Sequence, residues 1–159
     1  MKHAHTTVGI ILLLLILSIG CEKELKKNEY ELLQAYIEEN EIITEPTASG
    51  LYYIEDTTTT LENKTPPQTG DTVIITYKGY LLADTSAVFD TKTIDKPSNY
   101  IFKIDAVIEG WEEGIAYTDS GISAQLIIPS DLAYGNKQTG IIPPYSTLIF
   151  DITVLNIKD

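Results

Sequence analysis

The side chains able to do chemistry in this 159-residue chain are few, and most lie in its second half. Trp111, the single tryptophan, sits in Val107-Ile-Glu-Gly-Trp-Glu-Glu-Gly114. Tyr134 follows in Ala133-Tyr-Gly135, and Gly140-Ile-Ile-Pro-Pro144 comes soon after. Upstream lie Tyr77, in Val73-Ile-Ile-Thr-Tyr-Lys-Gly79, and the pair Phe89-Asp90. The residues that are missing narrow the chemistry further. Both histidines, His3 and His5, fall at the extreme N-terminus, Cys21 is the only cysteine, and there is no arginine. Beyond residue 5, therefore, the chain cannot build a Ser-His-Asp or Cys-His nucleophilic centre or the usual zinc sites. No cofactor or metal is expected. Glu112 and Glu113 are paired carboxylates, but they read as helix-start charges, since glycosidase chemistry needs a controlled separation on another kind of fold. Ordinary acid–base and metal catalysis are excluded, leaving aromatic and aliphatic side chains with a few polar groups among them.

Those residues must be positioned by a mixed architecture. Residues 49–54, with the β-prone core Leu-Tyr-Tyr-Ile, begin the strand structure, and residues 57–67 read as an excursion and turn. Gly70-Asp71 precedes a strand over 72–80. Residues 100–104 form a short alternating strand, and 124–128 and 147–157 are the remaining strong ones. Residues 81–88 read as irregular. Residues 109–117 make a short helix, and Gly121 ends the connection after it. Several strands with one short internal helix give an α+β domain, an antiparallel sheet packed on that helix.

Ahead of this domain, apolar residues Tyr30, Leu32, Leu33, Tyr36 and Ile37 recur at spacings of three and four, marking one face of a helix over 28–40. Asn28 suits its N-cap, Asn40 its terminator, and Pro46 stops it running on. A helix of about three turns is marginal alone in water. Its stripe must pack on the domain, on another copy or on a partner, and docking on its own domain is preferred to dimerisation.

In this order and spacing, the quoted segments, together with Thr147-Leu-Ile-Phe-Asp-Ile-Thr-Val154, resemble the FK506-binding-protein (FKBP) family of peptidyl-prolyl isomerases over residues 69–158. The resemblance implies a curved half-barrel sheet wrapped over the short helix, with a ligand cleft between them. It assigns Tyr77 to the cleft, Phe89 as a wall and Asp90 as a polar rim group. Tyr100 stands where phenylalanine is usual, and its hydroxyl could wet that wall. Val107 and Ile108 lie at the entry, where the Ile108 N–H is expected to bond a substrate carbonyl. Trp111 forms the floor under the proline ring, Tyr134 offers its hydroxyl to the carbonyl at the twisting bond, and Ile142 and Phe150 close the apolar sides. Asp90, Tyr134, Trp111 and Phe150 are the catalytic candidates.

From composition alone Trp111 reads as a core residue, and its glycine-flanked setting reverses that. Tyr77 and Phe150 would pass as sheet core, and Asp90 as a turn acid or an ion-pair partner of Lys92 or Lys96. Residues 136–139 replace a loop that often contacts substrate in relatives, and the segment between Phe102 and Val107 is shorter than in many of them.

The resemblance implies an isomerase that acts on Xaa–Pro bonds of proline-containing polypeptides, with macrolides of the FK506 type as possible further ligands. The rotation barrier of about 18–20 kcal/mol comes from amide resonance. Its twisted transition state carries less charge separation than the planar amide, so a water-poor apolar site favours rotation without a covalent step. The rival readings are a holding module or chaperone using the same cleft, and an assembly factor acting through residues 28–40.

The N-terminus reads as an address. Lys2 precedes an apolar run over 8–19, too short for the roughly 20 residues of a spanning helix and typical of a signal-peptide core. Ser18-Ile-Gly-Cys21 then resembles a bacterial lipobox, although Ser18 stands where leucine is usual. The expectation is a signal peptide over 1–20, lipidation of Cys21, a tether and helix over 21–48 and the isomerase domain over 49–159, held outside the cytoplasm at the periplasmic side or cell surface. An uncleaved anchor and a free thiol are the alternatives. Without residues 1–20 the chain carries ten lysines against twenty-three carboxylates, a net charge of −13. Nucleic acid is an improbable partner for such a surface.

Overall fold

The computed structural model describes residues 3–58, 65–103 and 107–159, with only the backbone for the first 17 of these. Part of the expected excursion over 57–67, and Ile104 of the expected strand over 100–104, therefore lie outside the described residues. A long helix, α1 (His3–Glu39), leads into strands β1 (Tyr52–Glu55), β2 (Thr72–Leu81), β3 (Asp84–Lys92) and β4 (Ser98–Ile101). The short helix α2 (Glu109–Ala116), β5 (Ser123–Ile128), a single 3-10 turn (Ser130–Leu132) and β6 (Leu148–Lys158) complete the chain. Among the described residues, no helix is long and apolar enough to cross a membrane.

The strands form one antiparallel sheet in the order β1-β5-β6-β2-β3, with β4 also paired to β2. Thr72 to Ile75 pair with β4, and Tyr77 to Leu81 pair with β3, so β3 and β4 share one edge of β2. This is the expected α+β class, an open curved antiparallel sheet over one short helix. Side chains alternate across a strand. Val73, Ile75, Leu126, Ile128, Leu148, Phe150, Ile152 and Val154 accordingly share one buried cluster with Trp111 and Ile115 of α2. Gly110 and Gly114 permit this packing. A Cβ on Gly114 would lie 2.6 Å from Leu126 Cδ1, and one on Gly110 would clash with Ile128, so both glycines let α2 press against β5.

Two sequence expectations are corrected here. Within residues 81–88, which read as irregular, only Leu82 and Ala83 form a turn, and residues 84–88 open strand β3. Its polar, mostly exposed residues conceal the alternation that normally marks a strand, and register shifts at Gly79, Tyr80 and Leu81 offset it from β2. Second, α1 does not begin at Asn28. It runs unbroken through the expected tether, Glu22-Lys-Glu-Leu-Lys-Lys-Asn28, so Asn28 is an interior residue and no N-cap. Glu, Lys and Leu are good helix formers, and nothing in that run breaks the ladder. The other end agrees with expectation: the Asn40 side chain donates to the Tyr36 carbonyl at 2.8 Å, and Glu41 takes a left-handed φ of 51°.

The helix packs on its own domain. Leu33 is buried with Tyr52, Tyr80, Leu82, Ile127 and Ile149, flanked by half-buried Tyr36 and Ile37. These sheet residues alternate with the core positions and form a second apolar layer on the opposite face. Tyr30 and Leu32, which belong to the expected apolar stripe, remain exposed.

Candidate active site

A cavity of about 700 Å³ opens between the sheet and α2. All ten residues assigned to the cleft line it: Tyr77, Phe89, Asp90, Tyr100, Val107, Ile108, Trp111, Tyr134, Ile142 and Phe150. Ile75, Val88, Ser98, Thr139, Gly140 and Ile141 also line the wall. Ile75, Gly140 and Ile141 belong to recognised motifs but carried no site signal of their own. Ser98 and Val88 had none at all, because their roles depend on the pairing of β3 and β4 with β2.

The floor is a set of edge-on aromatic contacts. The Trp111 ring centroid lies 4.9 Å from Tyr77 and 4.8 Å from Phe150, and Phe89 lies 5.4 Å from Phe150. Interplanar angles of 72–78° place ring edges against ring faces, the favourable electrostatic arrangement. Cross-strand register brings these groups together, since Gly79 pairs with Phe150 on one side and Asp90 on the other. A Cβ at Gly79 would lie 2.7 Å from carbons of both Phe150 and Phe89, so only glycine lets the two rings close over the strand. Trp111 is 6% exposed, and it reaches the floor because α2 starts at Glu109, with the Ile108 carbonyl accepting from the Trp111 and Glu112 amides. Ile108 itself is extended, and among the described residues its N–H has no acceptor, which leaves a donor at the cavity entry.

The polar groups are few and fixed. The Tyr77 hydroxyl donates to Asp90 Oδ2 at 2.6 Å, and the Thr91 amide donates to Asp90 Oδ1 at 2.8 Å. Among the described residues, Asp90 forms no ion pair with Lys92 or Lys96, because its carboxylate is taken up by Tyr77 and Thr91. Nor does the Tyr100 hydroxyl wet its wall. It donates to Glu112 Oε2 and the residue is buried, so the exchange of phenylalanine for tyrosine is absorbed by a helix carboxylate. Glu113 meanwhile accepts from the Ser49 hydroxyl at 2.5 Å. The paired carboxylates thus tie α2 to neighbouring segments.

Burial, reinforced by Asp90, holds the Tyr77 phenol well above its ordinary value. Burial beside Asp151 does the same for Tyr80, and burial is the chief cause pushing Tyr53 up to about 12. Unfolded tyrosines ionise near about pH 10. The folded state therefore keeps these protons longer. Their contribution to stability is complete below about pH 10 and is lost as pH rises through the folded-state values. Melting curves followed by circular dichroism are expected to show a midpoint that falls above about pH 10, with a shallower fall in Tyr80→Phe. A midpoint insensitive to alkali would contradict the burial of these phenols.

A sheet curved over one helix, enclosing a histidine-free aromatic box with a few fixed donors, defines a site suited to binding an apolar ring beside an amide rather than to bond cleavage. Comparison with known proteins gives the family. The model for the FKBP-type peptidyl-prolyl cis-trans isomerases matches residues 63–155. FkpA of Escherichia coli K12, an FKBP-type peptidyl-prolyl cis-trans isomerase, is 40% identical over 92 residues, covering 58% of this chain and 33% of FkpA. The chain thus matches about a third of that relative's length. The peptidyl-prolyl cis-trans isomerase FKBP1A of Xenopus laevis is 38% identical over 105 residues, 65% of this chain and 95% of the relative. The crystal structure of E. coli FkpA superposes with a TM-score of 0.70 at 28% identity, covering 99% of this chain and 72% of that one. A peptidyl-prolyl cis-trans isomerase structure from Pseudomonas syringae gives 0.69 at 25% identity, covering 86% and 96%. The chain belongs to the FKBP-type peptidyl-prolyl cis-trans isomerase family.

Proposed function

We propose that this isomerase domain accelerates rotation about Xaa–Pro bonds in exported polypeptides, seating the proline ring on Trp111. The observation that carries the reading is the ring cluster of Tyr77, Trp111, Phe89 and Phe150 under a cavity whose entry bears the Ile108 N–H. Water supports the planar amide through its charge separation. An aromatic box removes that support from the ground state and takes little from the twisted state, so the barrier falls. Ile108 holds a substrate carbonyl, Tyr134 engages the carbonyl that rotates, and Asp90 orients Tyr77. The same box suits macrolides of the FK506 type. The test is the cis–trans exchange rate of a short Xaa-Pro peptide by exchange NMR, with catalytic amounts of the chain. Acceleration supports the isomerase, whereas peptide binding with an unchanged exchange rate would indicate a holding module.

The same proposal places the domain outside the cytoplasm, on a bacterial membrane, through a lipid on Cys21. Support comes from the apolar run over 8–19 and from Cys21 itself, which is exposed on α1. Glu29, where α1 docks on the domain, lies eight helical steps beyond Cys21. At 1.5 Å per residue that is about 12 Å, so a lipid there holds the domain close to the bilayer on a rigid rod. When the chain is expressed in bacteria, Cys21→Ser is expected to lose the acyl mass seen by mass spectrometry and to move the protein from the detergent phase to the aqueous phase. Retention of both properties would assign the attachment elsewhere.

A further inference from the structure

We propose that Glu29 of α1 is a positioning residue for Tyr134, making the N-terminal helix part of the isomerase machinery. The inference rests on the role proposed above for the Tyr134 hydroxyl. Glu29 Oε1 accepts from the Ser130 amide at 2.7 Å and the Thr147 hydroxyl at 2.8 Å, while Oε2 accepts from the Ser130 hydroxyl at 2.6 Å. Ser130 and Thr147 are both buried, so these donors depend on the carboxylate in place of water.

The chain beyond Ser130 shows what this holds. The Ser130 carbonyl accepts from both the Ala133 and Gly135 amides at 2.9 Å, so the residues on either side of Tyr134 hang from one group. The Tyr145 amide donates to the Gly135 carbonyl at 2.8 Å and closes the loop from its far side. Thr147 directly precedes β6, which carries Phe150. One carboxylate from a helix 101 residues earlier in sequence therefore clamps the two segments that bring Tyr134 and Phe150 to the cleft. Lys26, one turn before Glu29, adds a contact to Asp131 at 3.0 Å. That pair is exposed and contributes little. The half-buried three-bond junction at Glu29 is the principal link.

With Glu29 removed, the loop carrying Tyr134 keeps its internal bonds but loses its fixed attachment. The tyrosine then samples positions from which its hydroxyl misses the carbonyl. The expected signature is a fall in kcat with KM nearly unchanged, because the pairing of β6 with β2 and β5 still holds Phe150 and the rest of the aromatic box in place. For Glu29→Ala in the full chain, exchange NMR is expected to show a roughly three- to tenfold lower kcat, the equivalent of a weakened neutral hydrogen bond. Glu29→Gln, whose amide can still accept from the Ser130 N–H and pair with the Ser130 hydroxyl, restores most of it. In a Tyr134→Phe background, Glu29→Ala produces little further loss, since the group it positions is already gone.

A folded Glu29→Ala protein with unchanged kcat overturns the inference, as does a loss that multiplies fully with Tyr134→Phe. Should the alanine variant not fold, Glu29→Asp keeps the charge but shortens the reach by one methylene, and the same cycle is read on it. If Tyr134→Phe alone leaves turnover unchanged, the role given to Tyr134 fails. If Tyr134→Phe slows turnover and Glu29→Ala does not, only the brace fails.

Discussion

Replacing Trp111 by alanine is expected to remove measurable acceleration of Xaa–Pro rotation and to destabilise the domain by about 3 kcal/mol, the lower end of the range for Trp or Phe truncation. The lower end applies because the indole floors an open cavity, so the space it leaves fills with water instead of remaining a sealed void. Catalysis suffers more than stability. Tyr77 and Phe150 both lose the ring they pack against at under 5 Å, and water enters the floor where the amide should be dry. Hydration then supports the planar amide again, and the source of the lowered barrier is gone. Urea titration reads the first effect and exchange NMR the second. Trp111→Leu separates them, since an aliphatic floor keeps the site dry and should retain part of the rate. A folded Trp111→Ala protein with wild-type acceleration would show that the aromatic floor is not the source of catalysis.

Tyr134→Phe should lower kcat by about tenfold without changing the melting temperature, the size expected for one neutral hydrogen bond. Two considerations set that magnitude. The hydroxyl is useful because it meets the carbonyl oxygen only when the oxygen has rotated out of the amide plane, which is a transition-state contact. Its value is limited because the carbonyl is less polarised in the twisted state than in the planar one. The substitution keeps the ring, and Tyr134 packs only at the margin of the core, so the fold is unaffected. Progress curves at varied peptide concentration distinguish kcat from KM. A change confined to KM would make Tyr134 a ground-state binding group rather than a catalytic one.

How far the site was legible in the sequence depended on whether a residue's role was carried by its own segment. Trp111 sits between Gly110 and Gly114, and the structure gives the reason for the spacing: both glycines let α2 lie against β5. Gly79 is similar, as its missing side chain makes room for Phe89 and Phe150. Strands β2, β5 and β6 announced themselves by alternation or by β-rich runs. Strand β3 did not, because only Ala87 and Phe89 on this edge are partly buried, too few to impose a period, and the contribution of Val88 was hidden with it, as that of Ser98 was with β4. The partner of Asp90 was equally hidden. Nearby lysines were the local candidates, while the side-chain donor, Tyr77, lies on the neighbouring strand.

The N-terminal helix divides the two kinds of information most clearly. The spacing of Leu33, Tyr36 and Ile37 marked an apolar face, and Asn40 marked the end. Nothing local to residues 28–40 says what covers that face. The answer lies in the outward positions of the sheet, Tyr52, Tyr80, Ile127 and Ile149, whose apolar character has a use only once α1 lies on them. Nothing near Glu29 in the sequence sets it apart from the other helix carboxylates, yet it is the acceptor for three donors on segments more than 100 residues away. By itself the sequence determined the α+β class, because the pattern of strands about one short helix is local, while the resemblance carried by its motifs implied the aromatic cleft. Tertiary structure alone decided which buried donors meet which acceptors and which face each helix covers, because those pairings join segments that no local pattern connects.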